Sequence, residues 1–315
     1  MIQDMVFGVL LTWLGFWTAG AASMAPSPEP ACAGALSQGG LIVCTAQPGA
    51  TIAYDGTAQR VGDDGLAVFG ITRDASSPAL VSVLGPSRDD VIELEIAPRD
   101  DPFRVIEGLD CDKVDARTPE QKAHAGESWV TKQAAFSTFH AGNDWANGFL
   151  RPAEGPASSP FGPARKYIGL SAVTGEPCDK VSIHRGYDIA TPVGTTLIAP
   201  AGGTVTLADL DLYYEGGTIF LDHGHGLVSV FMHLSEIDVS VGDVVAAGDT
   251  IGATGNTGRT TGPHLHWAVK WRDTTSEDRG GDFYIDPALL LEAEYPAMAV
   301  LAHDQRASEG STQTP

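Results

Sequence analysis

The chain has 315 residues, 43% of them hydrophobic and 8% aromatic, which is the length and composition of a globular protein of two domains. Forty Asp and Glu against 19 Lys and Arg leave a formal net charge of -21. That balance counts against nucleic acid as a partner, since phosphate binding needs clustered Lys and Arg, and against docking on an anionic lipid surface.

Residues 6–17 are apolar, and Ala19, Gly20 and Ala21 offer a small-residue cleavage site, so residues 1–23 read as an export signal. Asp4 stands before the stretch and no Lys or Arg does, which keeps an uncleaved membrane anchor as the alternative. The apolar stretch is short of the roughly 20 residues a span requires. Export fits the cysteines. Cys32, Cys44, Cys111 and Cys178 form no CxxC pair, and an even number in an exported chain favours two disulfides. Three pairings are possible; Cys32–Cys44 and Cys111–Cys178 are the expected one.

Residues 24–39 read as a flexible spacer. From residue 40 the runs LIVCTA, ATIAYDG, LAVFGI, ALVSVLG and VIELEIA alternate with Gly, Pro and Asp clusters, the pattern of a small β-sandwich-like module over 40–117. Within it, 98–117 is charged and loop-like. Thr118, Pro119 and Glu120 signal a helix start, so 118–147 is expected to be a helical linker, with the helix over 119–136. Residues 148–296 are dense in Gly and short β-type runs (TTLIAP, GGTVTLAD, GTIFLDHG, LVSVFMHL, TIGATG, HLHWAVKW) and predict a mainly β, antiparallel domain. A short helix is expected only after Asp286, and 297–315 is expected to be a disordered tail.

Chemistry concentrates in three pieces of that domain: HRGYD with His184 and Asp188, FMHLS with His233, and GPHLHW with His264 and His266. In a strand, His264 and His266 point to one face and Leu265 and Trp267 to the other. His184 is expected on a loop and Asp188 at a strand start. Imidazoles beside a carboxylate are what a catalytic zinc requires, with three protein ligands and one open position. The spacing of HxH does not tell which histidine would bind metal.

The stretch from residue 149 to 291 resembles the lysostaphin-type zinc endopeptidases that cleave peptides of peptidoglycan. GPASSPFGPAR, HRGYDIATPVGT, AGGTV, GGTIFLDHGHGL, the long run MHLSEIDVSVGDVVAAGDTIGATGNTGRTTGPHLHWAV and IDPALLL occur in family order. The resemblance implies the antiparallel β fold of that family and one Zn2+ per chain. It implies His184, Asp188 and His266 as metal ligands, with His264 and His233 as catalytic histidines that do not bind the metal. It implies a peptidoglycan peptide as substrate and the periplasm or cell envelope as location. The chain departs from the family pattern at Phe231, where Tyr is frequent, and in the long segment between Arg165 and His184 that carries Cys178. The alternative is a non-catalytic envelope protein that binds peptidoglycan or activates another wall hydrolase.

Other polar residues carry plainer expectations. His223 and His225 in HGH read as a turn, with His223 hydrogen-bonded locally. His124, His140 and His303 are expected to face solvent. His140, Asn143 and Asp144 in the linker could instead reach the open zinc position and hold the enzyme latent. Asp209, Asp211, Tyr213, Tyr214 and Glu215 read as a surface loop.

Overall fold

The computed structural model describes residues 29–85, 88–276 and 281–295. The expected signal and tail lie outside these residues. Seven strands come first: β1 (Ala31–Ala35), β2 (Leu41–Thr45), β3 (Thr51–Tyr54), β4 (Thr57–Arg60), β5 (Leu66–Gly70), β6 (Ala79–Leu84) and β7 (Asp89–Leu94). They form two antiparallel sheets, β1-β2-β5 and β4-β3-β6-β7, with Ile42, Ile52, Phe69 and Val81 buried in the core. β1 falls in the stretch read as spacer. Its Ala and Gly residues carry no strand signal, but it pairs residue for residue with β2 and is joined to it by the Cys32–Cys44 disulfide. β5 is buried throughout because both of its faces are covered. Its neighbours from the later part of the chain include Trp271, whose indole donates to the Val68 carbonyl at 3.0 Å. A Cβ at Gly70 would fall 2.8 Å from the Phe283 ring, so no larger residue fits there without moving that ring.

β8 (Arg104–Asp110) corrects the expectation of a loop at 98–117. It is a strand because it pairs in parallel with a partner some 60 residues away, which no local pattern reveals. The helix α1 (Pro119–Ser137) starts where expected. The Thr118 hydroxyl accepts from the Gln121 amide, and the Gln121 side chain accepts from the Thr118 amide, a reciprocal cap of about 1 kcal/mol.

The strands that follow are β9 (Ala157–Ser159), β10 (Ala164–Leu170), β11 (Pro177–Ile183), β12 (Tyr187–Ile189), β13 (Thr196–Ile198), β14 (Gly203–Leu212), β15 (Gly216–Gly224) and β16 (Leu227–Leu234). After them come β17 (Glu236–Ile237), β18 (Val244–Val245), β19 (Thr250–Ala253), β20 (Leu265–Trp271), β21 (Phe283–Ile285) and the short helix α2 (Pro287–Leu290). The main sheet runs β18-β14-β15-β16-β20-β12-β9, with β21 on the same edge of β20 as β12, and its pairs are antiparallel. A small sheet β13-β19-β17 flanks it. The segment between Arg165 and His184 is the hairpin β10–β11, held by β8 on its open edge and by the Cys111–Cys178 disulfide.

The two faces of the main sheet differ. Leu265, Trp267, Val269 and Trp271 of β20 enter a core continuous with that of the first seven strands. The opposite face carries Leu207, Phe220, Val228, Val230 and Ala268, and α1 covers it through Ala135 and Phe136. The Phe136 ring stacks on Phe220 with centroids 4.5 Å apart. Among the described residues no helix is long and apolar enough to cross a membrane.

Candidate active site

Asp188 stands directly opposite His266 in the pairing of β12 with β20, and directly paired residues share a sheet face. His264 lies just before β20 and projects to the same face by the two-residue alternation. His184 follows the last residue of β11, and its amide donates to the Pro163 carbonyl at 3.0 Å. That face is the one α1 covers further along the strands.

His233 reaches this face by a different route. Its neighbour Met232 is the residue opposite His266, so a regular pleat would turn His233 to the far side with Phe231. A φ of 66° instead flips it, a left-handed conformation uncommon outside glycine and frequent at functional sites. Its amide donates to the Glu215 carbonyl at 2.8 Å. The His233 ring centroid then lies 4.8 Å from that of His264 and 6.1 Å from that of His266.

Three donor atoms converge. His266 Nδ1 is 2.7 Å and His184 Nε2 is 3.0 Å from Asp188 Oδ1, and the two ring nitrogens are 3.2 Å apart. All three side chains are largely buried. His184 Nδ1 donates to the Pro160 carbonyl at 2.6 Å, which aims Nε2 at the cluster and fixes the ring, as histidine ligands of metals are usually held. Two imidazole nitrogens and one carboxylate oxygen match the donor set of a catalytic zinc with a position left open. Arg165, which histidine spacing does not single out, places Nη2 3.4 Å from Asp188 Oδ2 and donates to Ser159 Oγ at 2.6 Å. It fixes the second oxygen of the carboxylate.

The electrostatics suit a ligand cluster. Burial opposes ionisation of Asp188, but hydrogen bonds from His184 and His266 outweigh it and hold the carboxyl well below the usual range. Burial lowers the affinity of His266 for a proton, against the pull of Asp188. His233 is pushed down to about 3 by burial, with His266 and His264 adding to the effect. Its Nδ1 donates to the Thr257 carbonyl at 2.9 Å, and His264 Nδ1 donates to the Gly262 carbonyl at 2.8 Å. Both rings therefore turn Nε2 inward, and His264 Nε2 stands 3.8 Å from Asp188 Oδ1. Sequence reading could not find these three carbonyls, because every residue has one.

Beside the cluster the face is walled. The Lys132 ammonium of α1 contacts the Glu215 carboxylate. Tyr284 packs next to the Phe136 patch, and burial pushes its hydroxyl up to about 12, with Glu215 adding and Arg185 opposing.

The other polar residues fall elsewhere. His223 is a turn residue as expected: Nδ1 donates to the Gly202 carbonyl at 2.7 Å and Nε2 meets Ser229 Oγ at 2.8 Å. His225 pairs with Asp64 at 2.7 Å, tying the first seven strands to the β15–β16 turn. His124 faces solvent along part of its ring, while it donates to the Asp211 carbonyl at 2.6 Å and packs edge-on against Tyr213. Tyr213 and Tyr214 are tied to the segment just before α1 through the Asp112 carbonyl and the Ala116 amide. His140, Asn143 and Asp144 do not approach the cluster. The His140 amide donates to Asp222, and Asp144 sits against Gly202, at the opposite end of the sheet. His266 and Arg272, which marks that end, are six residues apart, about 20 Å at 3.3 Å per residue.

Residues 182–278 match the profile of Peptidase family M23, so the chain carries a metallopeptidase domain of that family. An uncharacterized metalloprotease of Haemophilus influenzae is 37% identical over 147 residues, which are 45% of this chain and 29% of that protein. The peptidoglycan DD-endopeptidase ShyA of Vibrio cholerae is 38% identical over 112 residues, 36% of this chain and 24% of that protein. The chain thus spans less than a third of the length of these two relatives. A crystal structure of a Pseudomonas aeruginosa protein assigned to peptidase M23 matches with a TM-score of 0.57 at 29% identity, covering 81% of this chain and 95% of that one.

Proposed function

We propose that the chain is an exported zinc-dependent endopeptidase that hydrolyses peptide bonds in peptidoglycan cross-links or stem peptides. The observation that carries this reading is the convergence of His184 Nε2, Asp188 Oδ1 and His266 Nδ1 beside two inward-facing imidazoles. His184, Asp188 and His266 would hold one Zn2+, which supplies a Lewis acid for a peptide carbonyl and makes water more acidic. His264, whose Nδ1–H is held by the Gly262 carbonyl, presents Nε2 to take the proton of the attacking water. His233 starts neutral with Nε2 as an acceptor, so a donor role toward the oxyanion or the leaving amine requires it to take up a proton during the reaction. Burial disfavours that proton, which makes a protonated His233 a strong acid toward an amine.

The name of the Vibrio cholerae relative supports peptidoglycan as substrate, and two disulfides support an oxidising compartment such as the periplasm or envelope. All five residues are present and directed to one face, an arrangement that a non-catalytic binding protein would not need. The test is incubation of the purified chain with isolated peptidoglycan, with and without a zinc chelator, and mass spectrometry of what is released. Peptides with new termini, lost on chelation and regained on adding zinc, are expected. No release from folded, zinc-loaded protein would refute the reading.

A further inference from the structure

Cations are scarce in this chain, and those around the site are engaged: Arg165 with Asp188, Lys132 with Glu215, Lys270 with Asp282. Arg185 differs. It lies between His184 and Gly186, its side chain is exposed, and among the described residues it makes no hydrogen bond or ion pair. The backbone holds it close to the ligands, because a Cβ at Gly186 would collide with His266 Nε2.

The registers place Tyr284 beside it. β12 pairs with β20 up to Tyr187 opposite Trp267, and β21 takes over the same edge at Ile285 opposite Val269. Arg185 therefore leaves the sheet edge where β21 arrives. Tyr284 is opposite Lys270 and shares the face of His266 and Ala268 by the strand alternation. Its hydroxyl also has no hydrogen-bond partner among the described residues, and its raised pKa keeps it a donor at neutral pH. Behind the pair, α1 and the Lys132–Glu215 contact close the face. One flank of the cluster thus ends in two unclaimed donors, a planar guanidinium and a phenol, which together suit a carboxylate.

We propose that Arg185 and Tyr284 bind a carboxylate carried by the residue adjacent to the scissile amide, and that the site thereby selects peptides with a free carboxylate at that position. This rests on the peptidase reading above. The carboxylate has two possible sources: the chain terminus of a peptide that ends there, or the second carboxylate of a diamino diacid in a branched cross-link. A plain glycine bridge offers neither.

Three synthetic peptides with one scissile bond separate these cases. The residue after the bond carries a terminal carboxylate in the first, a terminal amide in the second, and an amide with a side carboxylate in the third. For the zinc-loaded chain, kcat/KM for the first or third is expected to exceed that for the amide by about tenfold to a hundredfold, mostly through KM. Which of the two is preferred names the source. In Arg185→Gln the acid-to-amide ratio is expected to approach one, in Arg185→Lys to recover in part, and in Tyr284→Phe to fall by about fivefold. A wild-type ratio near one, or an unchanged ratio in Arg185→Gln, would overturn the proposal. A second measurement needs no turnover: NMR titration of metal-free protein with the amino acid that hydrolysis would release, as free acid and as amide. Tighter binding of the acid, lost in Arg185→Gln, supports the clamp even if no peptide is hydrolysed, a result that would sink the peptidase reading alone. Equal binding of acid and amide sinks the clamp.

Discussion

Arg272→Met would remove the guanidinium that faces Asp222 at the end of the sheet remote from the ligand cluster. Both side chains are fully buried, with Nη2 2.8 Å from Asp222 Oδ2. Arg272 also donates to the carbonyls of Phe136 and Thr138, the last turn of α1, and its guanidinium lies 4.2 Å over the Phe139 ring. In the variant Asp222 keeps the amides of His140 and Gly224 at 3.0 Å each but has lost the countercharge of Arg272 in a dry environment. Breaking one side of a buried pair costs about 3–5 kcal/mol. At about 2–4 °C per kcal/mol for a unit of this size, Tm should fall on the order of 10 °C. Urea titration followed by circular dichroism gives the free energy, and zinc content should stay at wild type because the change is far from the cluster. Adding Asp222→Asn removes the stranded charge, so the double variant should be more stable than Arg272→Met alone. A loss below about 1 kcal/mol, or a double variant no better than the single, would refute the reasoning.

Three further outcomes are expected. His264→Ala should abolish hydrolysis with zinc still bound, whereas Asp188→Ala should lose both, as read by metal analysis and peptidoglycan digestion; activity retained in either overturns the assigned role. His223 is held neutral by burial down to about 4, while the unfolded chain protonates near its ordinary value. Above that ordinary value the residue contributes no pH dependence; between it and pH 4 the unfolded state alone gains a proton, so stability falls with acidification by about 3 kcal/mol in all. Metal-free His223→Gln should show a correspondingly flatter Tm-against-pH curve below pH 6.5, and parallel curves would contradict this. Removing Cys111–Cys178, which closes a 67-residue separation, should cost about 4 kcal/mol by chain entropy, and a change below about 1 kcal/mol in denaturant titration would count against it.

The sequence carried the strands of the main sheet and the facing of His264 and His266, because both follow from two-residue alternation within one segment. It carried α1 because the cap is local to Thr118–Gln121. What it did not carry depends on long-range pairing or on single backbone angles. β8 reads as a charged loop since its partner β10 is distant in the chain and Val105 stays exposed. His233 faces the site only through its left-handed φ, and alternation alone would have sent it away. Arg165 and the Asp64–His225 pair join residues 23 and 161 positions from their partners. The linker residues His140, Asn143 and Asp144 have the chemistry to reach a metal. Local sequence does not say at which end of a sheet a segment will lie.

The arrangement around β10 bears on how this chain could be divided. A fragment beginning near residue 148 would retain every residue of the ligand cluster. It would also lose β8 and so expose the hydrogen-bonding edge of β10, deprive Cys178 of its disulfide partner, and uncover Leu207, Phe220, Val228 and Val230 where α1 had lain. Open strand edges and contiguous apolar patches are the features that make chains associate with copies of themselves. A catalytic fragment trimmed to the bounds of sequence similarity would therefore aggregate, and a soluble reagent has to keep the strand and helix that precede it.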